Sequence, residues 1–314
     1  MSETDMIFNH DVNAWTDTPK QLKACLRLCE AFVKLNDKLF VVSDFTEKNI
    51  SVNQQTGEVK LQMNDAEEPP NPITQERAGK YVLGLEEVMD DTTASSRSCG
   101  YTLSVLLFEM LTGHSPFNGR HLMTKAFLTD NDMNEDGIFI FNPKDNSNAP
   151  VPGMQEELLR YWTALPEVVR DAFVKGLSKE EIVSPREWRR IIEELSEKMI
   201  VCPKCGNTMY RQESGKSICP NCGKMMDTAR KLRDIRSDNI VPLYEGFELM
   251  TSNTGPAVGK VLLNKDMLML KNLSRHEWNA QTPTGKEKIV ASGEMMPLNE
   301  GIKVKIGTCD YVIE

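Results

Sequence analysis

Two short cysteine units constrain the fold of this 314-residue chain more than any other feature of its sequence. They read Cys202-Pro-Lys-Cys205-Gly and Cys219-Pro-Asn-Cys222-Gly, with thirteen residues between Cys205 and Cys219. Each Cys-x-x-Cys turn directs two thiolates at one point, and the glycine that follows lets backbone N–H groups approach the sulfur atoms. Four thiolates in this arrangement are typical of a closed, tetrahedral metal site with a structural role.

We therefore predict one structural metal ion in residues 200–226, and Zn²⁺ is the first choice. Iron is the alternative, because similar cysteine knuckles also bind iron. A redox dithiol is not expected, since that chemistry needs one Cys-x-x-Cys unit and this chain has two matched ones. So small a module has little apolar core, so we expect the metal to supply most of its folding free energy.

The remaining cysteines are Cys25, Cys29, Cys99 and Cys309, and their spacing is irregular. Such a pattern indicates a reducing compartment and a metal site rather than a disulfide framework. Cys25 and Cys29 lie one helical turn apart and could share a metal, but no further ligand stands near them. We predict that they pack in a core.

No targeting or membrane segment is expected. The N-terminal sequence MSETDMIFNHDVNAW lacks the basic and apolar regions of a signal peptide. The longest apolar stretch, TLSVLLFEML, is about half as long as a membrane span and contains Glu109. We predict a cytoplasmic protein that has no membrane partner.

Charge is distributed unevenly along the chain. Residues 1–198 carry 33 acidic and 21 basic residues, whereas residues 199–314 carry 13 and 16. Phosphate contacts need clustered cations, so nucleic acid is not expected as the main partner. The basic segment KMMDTARKLRDIRSD (224–238) is the candidate for such contacts, and we interpret it as a helical linker with a solvated face.

Hydrophobic periodicity and capping signals outline the domains. Capping boxes at Thr18-Pro19 and Ser184-Pro185 begin two helices, GYTLSVLLFEMLTG predicts a buried helix, and two more helices are expected in 154–177. KLFVV, NISVN and GEVKLQ predict strands, the last two joined in a hairpin at Gly57. The predicted domains are an N-terminal extension (1–16), a mainly helical domain (17–199), the cysteine ribbon (200–226), a basic linker (227–242) and an all-β domain (243–314).

The order of these elements resembles the C-terminal lobe of a protein kinase. A helix is followed by Asp44-x₄-Asn49, a hairpin, a long loop, KYVLGLEEV, the buried helix ending in GHSPF, and SPREW. More narrowly, SDFTEKNISVN, IFIFNPKDNSNAPVPG and the ribbon are similar to bacterial kinases encoded beside phosphatases and von Willebrand-type proteins. The resemblance implies that Asp44 occupies the position of the catalytic base and Asn49 that of a metal ligand.

Several departures from the kinase pattern argue against phosphotransfer. The first glycine is Gly57, so no Gly-rich phosphate loop precedes Asp44, and fewer than twenty residues precede the first helix. The family's metal-binding Asp corresponds to Met63, whose thioether Mg²⁺ does not use, and Asp65 stands two residues late. We therefore expect no ATP·Mg²⁺ site and favour a structural role for Asp44 and Asn49, in which their side chains pin a loop.

The C-terminal domain resembles a forkhead-associated (FHA) sandwich through MPLNEGIKVKIG, VGKV and NLSRHEW. Phosphothreonine recognition needs an arginine-type donor, and Lys260 stands where the family has arginine. Ser274 and Arg275 are the candidate phosphopeptide-binding residues. Binding of unmodified protein by a degenerate domain of this shape is the favoured interpretation.

The sequence thus predicts a multidomain α+β protein: a mainly helical domain like a kinase C-lobe, a zinc ribbon and a small all-β FHA-like sandwich. The expected function is that of a catalytically inactive adaptor, which binds a partner such as an intact kinase or phosphatase of a bacterial signalling or stress system. Self-association is also expected, because a C-lobe without its partner lobe exposes apolar surface. The alternative is a split Ser/Thr kinase completed by another chain, with Asp44 as base and Asn49 and Asp65 as metal ligands.

Overall fold

The computed structural model of the chain describes residues 18–42, 45, 49–53, 56–62, 83, 90–123, 137–178, 181–250 and 255–314. The chain divides into two compact units, Met1–Lys198 and Met199–Glu314. The described part of the first unit is mainly helical and that of the second is built from antiparallel strands, so the predicted α+β class is confirmed.

The described elements of the first unit are helices joined by turns, with one two-stranded hairpin. They are α1 (Thr18–Asp37), β1 (Ile50–Asn53), β2 (Glu58–Leu61), α2 (Asp91–Thr112), α3 (Arg120–Met123), α4 (Glu156–Ala164), α5 (Glu167–Leu177) and α6 (Pro185–Glu197). The predicted helix at Thr18, the two helices within 154–177 and the hairpin at Gly57 are confirmed.

Helix α2 lies in the centre of this unit and is buried almost all round. Asp90 caps its first turn by accepting a hydrogen bond from the Thr93 N–H, and Gly113 ends it in the left-handed conformation. Small hydroxyl side chains in its interior bond back to the helix, as when Ser104 Oγ donates to the Gly100 carbonyl at 2.7 Å. Each large side chain buried here contributes about 1.5–3 kcal/mol, so the unit depends on this helix.

Aromatic side chains fill the space between α2 and the later helices. Phe108 of α2 meets Phe173 of α5 at a ring-centroid distance of 5.2 Å and Phe139 at 5.6 Å, both edge-to-face. Trp188 of α6 is fully buried and donates its indole N–H to Ser104 Oγ at 2.8 Å. The predicted capping box at the start of α6 is confirmed, because Ser184 Oγ accepts from the Glu187 N–H.

The predicted strand over Lys38–Val42 is wrong. This segment leaves α1 through a turn and runs beside α2 as irregular backbone. Its polar backbone groups bond to side chains of α2: Val42 N–H donates to Ser98 Oγ at 3.0 Å, and the Phe40 carbonyl accepts from Ser95 Oγ at 2.7 Å. Because these hydrogen bonds already satisfy the backbone, no strand partner is needed.

The second unit begins with two small hairpins that form the cysteine ribbon. Their strands are β3 (Met199–Val201), β4 (Thr208–Tyr210), β5 (Lys216–Ile218) and β6 (Met225–Asp227). Strand β3 pairs with β4, and β5 pairs with β6, both antiparallel.

Two antiparallel sheets then pack around one core. The four-stranded sheet has the order β14-β11-β10-β9, and the six-stranded sheet has the order β13-β12-β15-β16-β7-β8. Residues from both sheets, including Val261, Leu270, Trp278 and Ile313, belong to one buried cluster. The strands are β7 (Lys231–Asp234), β8 (Ile240–Pro242), β9 (Glu248–Met250), β10 (Ala257–Asn264), β11 (Met267–Asn272), β12 (Trp278–Gln281), β13 (Glu287–Val290), β14 (Met295–Pro297), β15 (Lys303–Ile306) and β16 (Cys309–Ile313).

The helical linker predicted for the basic segment at 227–242 is wrong. Its residues form β7 and β8, which belong to the six-stranded sheet, so the β structure begins before residue 243. Leu232 of β7 is fully buried, and β7 pairs with β16 at the other end of the chain. A strand alternates inward and outward side chains, so Lys231 and Arg233, on either side of Leu232, occupy the outer face.

Among the helices that the structure describes, none combines the length and the apolar character needed to cross a lipid bilayer.

Candidate metal centre

The four ribbon cysteines meet at one point between the two hairpins. The turn after β3 carries Cys202 and Cys205, and the turn after β5 carries Cys219 and Cys222. Their sulfur atoms all lie within 4.8 Å of one another. The predicted grouping of these residues is therefore confirmed, and the four thiols could hold a metal ion.

The two turns repeat the same backbone hydrogen bonds. In the first, Gly206 N–H donates to the Cys202 carbonyl at 2.9 Å, and in the second Gly223 N–H donates to the Cys219 carbonyl at 2.9 Å. Both glycines have a positive φ, 76° and 68°, which a residue with a Cβ adopts only under strain. The glycine in each Cys-x-x-Cys-Gly unit is thus required by backbone geometry.

The sulfur–sulfur distances match a tetrahedral four-thiolate site. Cys202 Sγ lies 3.7 Å from Cys222 Sγ, and Cys205 Sγ lies 3.6 Å from Cys219 Sγ. Zinc–sulfur bonds of the usual length at tetrahedral angles place neighbouring sulfur atoms about 3.8 Å apart. Each close pair joins one cysteine from each turn, so a central ion would tie the two hairpins together.

The thiols differ in how readily they ionise. The backbone N–H of Asn207 stabilises the thiolate of Cys205 and lowers its pKa to about 6. Burial raises the pKa of Cys219 to about 12. Four thiolates this close repel one another, so full ionisation needs a cation among them, and a bound divalent ion supplies it.

The ribbon has a very small apolar core of its own. Cys202 and Cys219 are fully buried, and the side chains around them are Ile200, Met209 and Met226. Cys205 and Cys222 are half-buried on the outer side. With four protein ligands, the geometry leaves no coordination position for a substrate, which is characteristic of a structural site.

Contacts between the ribbon and the β-sheets could not be read from sequence spacing. Tyr244 packs against the ribbon core, and its ring lies 5.3 Å from that of Phe247, which packs against the core of the sheets. Lys224 Nζ pairs with Glu245 Oε2 at 2.7 Å, and both side chains are about one-fifth exposed. Within the second hairpin of the ribbon, the Ser217 and Thr228 hydroxyls meet at 2.8 Å in a buried contact.

The structure confirms the prediction that Cys25 and Cys29 pack in a core, and it places Cys99 in the core as well. Cys25, Cys29 and Cys99 are fully buried. Burial raises the pKa of Cys25 and Cys29 well above the ordinary range and that of Cys99 to about 11, so these thiols stay protonated. In the part of the chain that the structure describes, the ribbon cysteines are the only cluster found that could hold a metal.

Of the residues taken from the kinase resemblance, the structure describes Asn49, while Asp44, Met63 and Asp65 lie outside the described residues. Asn49 is 6% exposed. Its side-chain Nδ2 donates to the Gln62 carbonyl at 2.8 Å, and its own carbonyl accepts from the Gln62 N–H at 2.7 Å. These bonds close the open end of the β1–β2 hairpin.

The candidate phosphopeptide residues lie in the turn between β11 and β12. Ser274 Oγ donates to the Asn272 side chain at 2.7 Å and to the His276 carbonyl at 2.9 Å. It also accepts from the Trp278 indole at 3.2 Å. The hydroxyl is therefore engaged within the turn, whereas Arg275 beside it is exposed.

Basic side chains of β7 and the turn after it are paired with acidic ones. Arg233 contacts Glu314 at 2.5 Å and Asp238 at 3.1 Å, and Arg236 contacts Asp310 at 3.1 Å. Cations engaged in this way are less available for the phosphates of a nucleic acid.

Neither the family models nor the curated proteins compared with this chain include a match.

Proposed function

We propose that this chain is a non-catalytic, zinc-stabilised adaptor that binds a partner protein. The observation that carries the proposal is the closed group of four sulfur atoms of Cys202, Cys205, Cys219 and Cys222 within 4.8 Å. Four protein thiolates satisfy tetrahedral Zn²⁺ completely, so the ion stabilises a fold and activates no water. When bound, the ion would link the two hairpins that small apolar cores cannot hold alone.

A role in protein binding is supported by the distribution of exposed apolar side chains. Among the described residues, the large apolar side chains with substantial exposure lie mostly in the second unit. They are Val201, Met225, Ile235, Ile240, Met250, Leu263, Met267, Leu273 and Ile289, against Leu39 and Met154 in the first. Apolar side chains left in water can contribute to surfaces that bind other proteins.

We propose that the chain does not transfer phosphate. The reason lies in the β1–β2 hairpin and the residue after it, which the kinase resemblance aligns with the metal-binding part of a kinase active site. Asn49 is nearly fully buried, and its amide N–H donates to the Gln62 carbonyl, so the side chain holds the open end of the hairpin. The residue at the position of the metal-binding aspartate is Met63, a soft ligand that Mg²⁺ does not use. An intact kinase or phosphatase of the same signalling system is the proposed partner, a choice that rests on the resemblance alone.

The β-sheets of the second unit are proposed to bind unmodified protein. The Ser274 hydroxyl already hydrogen-bonds to Asn272, His276 and Trp278, so it stabilises the β11–β12 turn. A phosphate in that turn would then be held chiefly by Arg275, whose exposed guanidinium gains little from an ion pair in water.

A thermal-shift titration of the zinc-loaded protein with ATP and Mg²⁺ tests the adaptor against the split kinase. The adaptor predicts no saturable rise in melting temperature. A saturable rise that Asn49→Ala abolishes would instead support an ATP-binding, kinase-like protein. Asn53→Ala is the matched control, because Asn53 lies in the same hairpin and caps its turn by accepting from the Thr56 N–H at 3.1 Å.

A further inference from the structure

A cleft lies between the second ribbon hairpin and the tip of the β10–β11 hairpin, and we call it the ribbon cleft. It has a volume of about 190 Å³, and Met225, Arg230, Glu245, Leu263 and Met267 contribute to its lining. Sites for drug-sized ligands and cofactors usually have at least about 300 Å³, so this cleft suits one or two side chains of a partner.

The rim of the ribbon cleft is apolar and open to solvent. Met225 is 61% exposed, Met267 58% and Leu263 47%. Two of the three are methionines, whose flexible, polarisable side chains adapt to different apolar partners. An aliphatic or aromatic side chain inserted between them would remove all three from water, which favours binding.

The charged side chains that line the cleft are two cations, Lys224 and Arg230, and three carboxylates, Asp227, Glu245 and Asp266, and they differ in whether they are paired. Lys224 is satisfied by Glu245 at 2.7 Å. Arg230 is half-buried, and among the described residues no carboxylate oxygen lies within 4.0 Å of its guanidinium. Asp227 and Asp266 also line the cleft but are exposed, so water and salt screen them more strongly than the half-buried arginine. A guanidinium stays charged and pairs best with a carboxylate in two parallel hydrogen bonds.

The two walls of the cleft are held in place. Tyr244 and Phe247 connect the core of the ribbon to the core of the sheets, and the Lys224–Glu245 pair, which also lines the cleft, joins the second hairpin to the segment before β9. On the other side, Lys265 and Asp266 turn the β10–β11 hairpin with φ values of 47° and 65°, although neither is glycine. Such a turn stores strain, and strained backbone is concentrated at binding sites.

We propose that the ribbon cleft binds a short segment of a partner protein in which a carboxylate side chain lies close to an aliphatic or aromatic one. The carboxylate pairs with Arg230, and the apolar side chain contacts Met225, Leu263 and Met267. This inference rests on the proposed adaptor function, for which it supplies the docking surface and the chemistry of the partner.

Selection of short random peptides displayed on phage against the immobilised full-length, zinc-loaded chain tests this docking site. We expect enriched peptides to carry Asp or Glu within a few positions of Leu, Ile, Met or Phe. A synthetic version of an enriched peptide should bind in solution, and replacing its carboxylate residue by Gln or Asn should weaken binding about tenfold.

Matched variants locate the binding site. Arg230→Gln should weaken peptide binding about tenfold, and Met267→Ser about fivefold. Arg160→Gln and Met154→Ser are controls, since both residues are exposed and outside the cleft, and each should change affinity by less than about twofold. Zinc content and melting temperature, measured for every variant, show whether it is folded.

Several results would overturn the inference. These are no enrichment, enrichment of basic peptides, binding that Arg230→Gln leaves intact, or binding lost in Arg160→Gln. A concentration-dependent dimer that Met267→Ser dissociates would assign the cleft to a second copy of the chain, which also contradicts the inference.

Failure of this inference and failure of the proposed function can be told apart. If the zinc-loaded chain shows no ATP-induced rise in melting temperature and binds no peptide, the proposed docking site is wrong. The proposed adaptor function is then not contradicted. A chain that binds ATP saturably and also binds acidic peptides through Arg230 contradicts the non-catalytic adaptor while supporting the cleft.

Discussion

The two units use the same side chain for opposite purposes. In the helical unit, Cys25, Cys29 and Cys99 are buried among apolar neighbours, and burial raises their pKa values so that each acts as a small neutral hydrophobe. In the ribbon, four cysteines turn their sulfur atoms to one point within 4.8 Å. What differs is the backbone that presents the thiol: a helix face in one case and a tight turn ending in glycine in the other.

The comparison also shows two ways to stabilise a small structure. The helical unit has a large aromatic centre around Phe108, with rings of Phe139, Phe173 and Trp162 within 6.1 Å of it. The ribbon hairpins have three or four apolar side chains, too few to offset the loss of chain entropy. Cavities should therefore lower the stability of the helical unit most, and metal removal should lower the stability of the ribbon most.

Removal of the metal should give the largest effect. A high-affinity zinc chelator is expected to unfold the ribbon, because binding in such sites contributes about 10–16 kcal/mol to folding. Metal analysis should show one Zn²⁺ per chain before treatment, and hydrogen exchange should show loss of protection in residues 199–228 afterwards. Cys309→Ser is the control and should keep its metal, since Cys309 lies outside the cluster. If residues 199–228 kept their hydrogen-exchange protection without metal, the ribbon would not depend on the ion, and the contrast with the helical unit would be wrong.

A cavity in the aromatic centre should give the next largest effect. Phe108→Ala is expected to lower the free energy of unfolding of the helical unit by about 3–5 kcal/mol, because the ring is fully buried. Urea unfolding followed by helical circular dichroism measures the loss. Met154→Ala, at an exposed position, should change it by less than about 0.5 kcal/mol. If Phe108→Ala also released the metal, the two units would not be stabilised separately.

Alkaline pH should have the smallest effect on stability, and it should act through the buried cysteine thiols of the helical unit. The pKa of Cys99 is about 11 in the fold and near 9.0 when exposed. The contribution of the protonated Cys99 thiol to the free energy of unfolding is complete below about pH 9. It declines by about 1.4 kcal/mol per pH unit as pH rises toward 11, because the unfolded chain releases the proton first. Cys99→Ala should therefore lose less stability than the parent between pH 9 and pH 10.

Urea unfolding at the two pH values measures this difference. Ser104→Ala is the matched control: it removes a buried hydroxyl of the same helix but no thiol, so it should keep the alkaline slope of the parent. An identical slope in Cys99→Ala and the parent would contradict the assignment of Cys99 as a protonated core residue.

Features encoded by neighbouring residues could be predicted from the sequence. The two Cys-x-x-Cys-Gly units predicted the whole group of four cysteines, and the Ser184-Pro185 capping box predicted the start of α6. The apolar run around Phe108 gave the buried helix, and Gly57 gave the hairpin. Each signal is local, because a turn, a cap or an apolar stripe depends on residues within a few positions of one another.

Features that depend on distant residues could not be predicted. Lys38–Val42 has the composition of a strand, but hydroxyl groups some 55 residues later in the chain satisfy its backbone. Lys231–Asp234 has the composition of a solvated helix, but β16 provides a pairing partner, and Glu314, the residue after β16, pairs with Arg233. Local composition carries no information about which partner the fold will supply.

The sequence by itself determined which residues could share a metal ion, because four thiols on two rigid turns have one arrangement that satisfies a tetrahedral cation. Only the tertiary structure decided what surrounds that site. Tyr244, the Lys224–Glu245 pair and the exposed rim of Met225 and Met267 come together through long-range packing of the ribbon on the sheets. Packing of this kind follows from burial summed over the whole unit, which no single segment encodes.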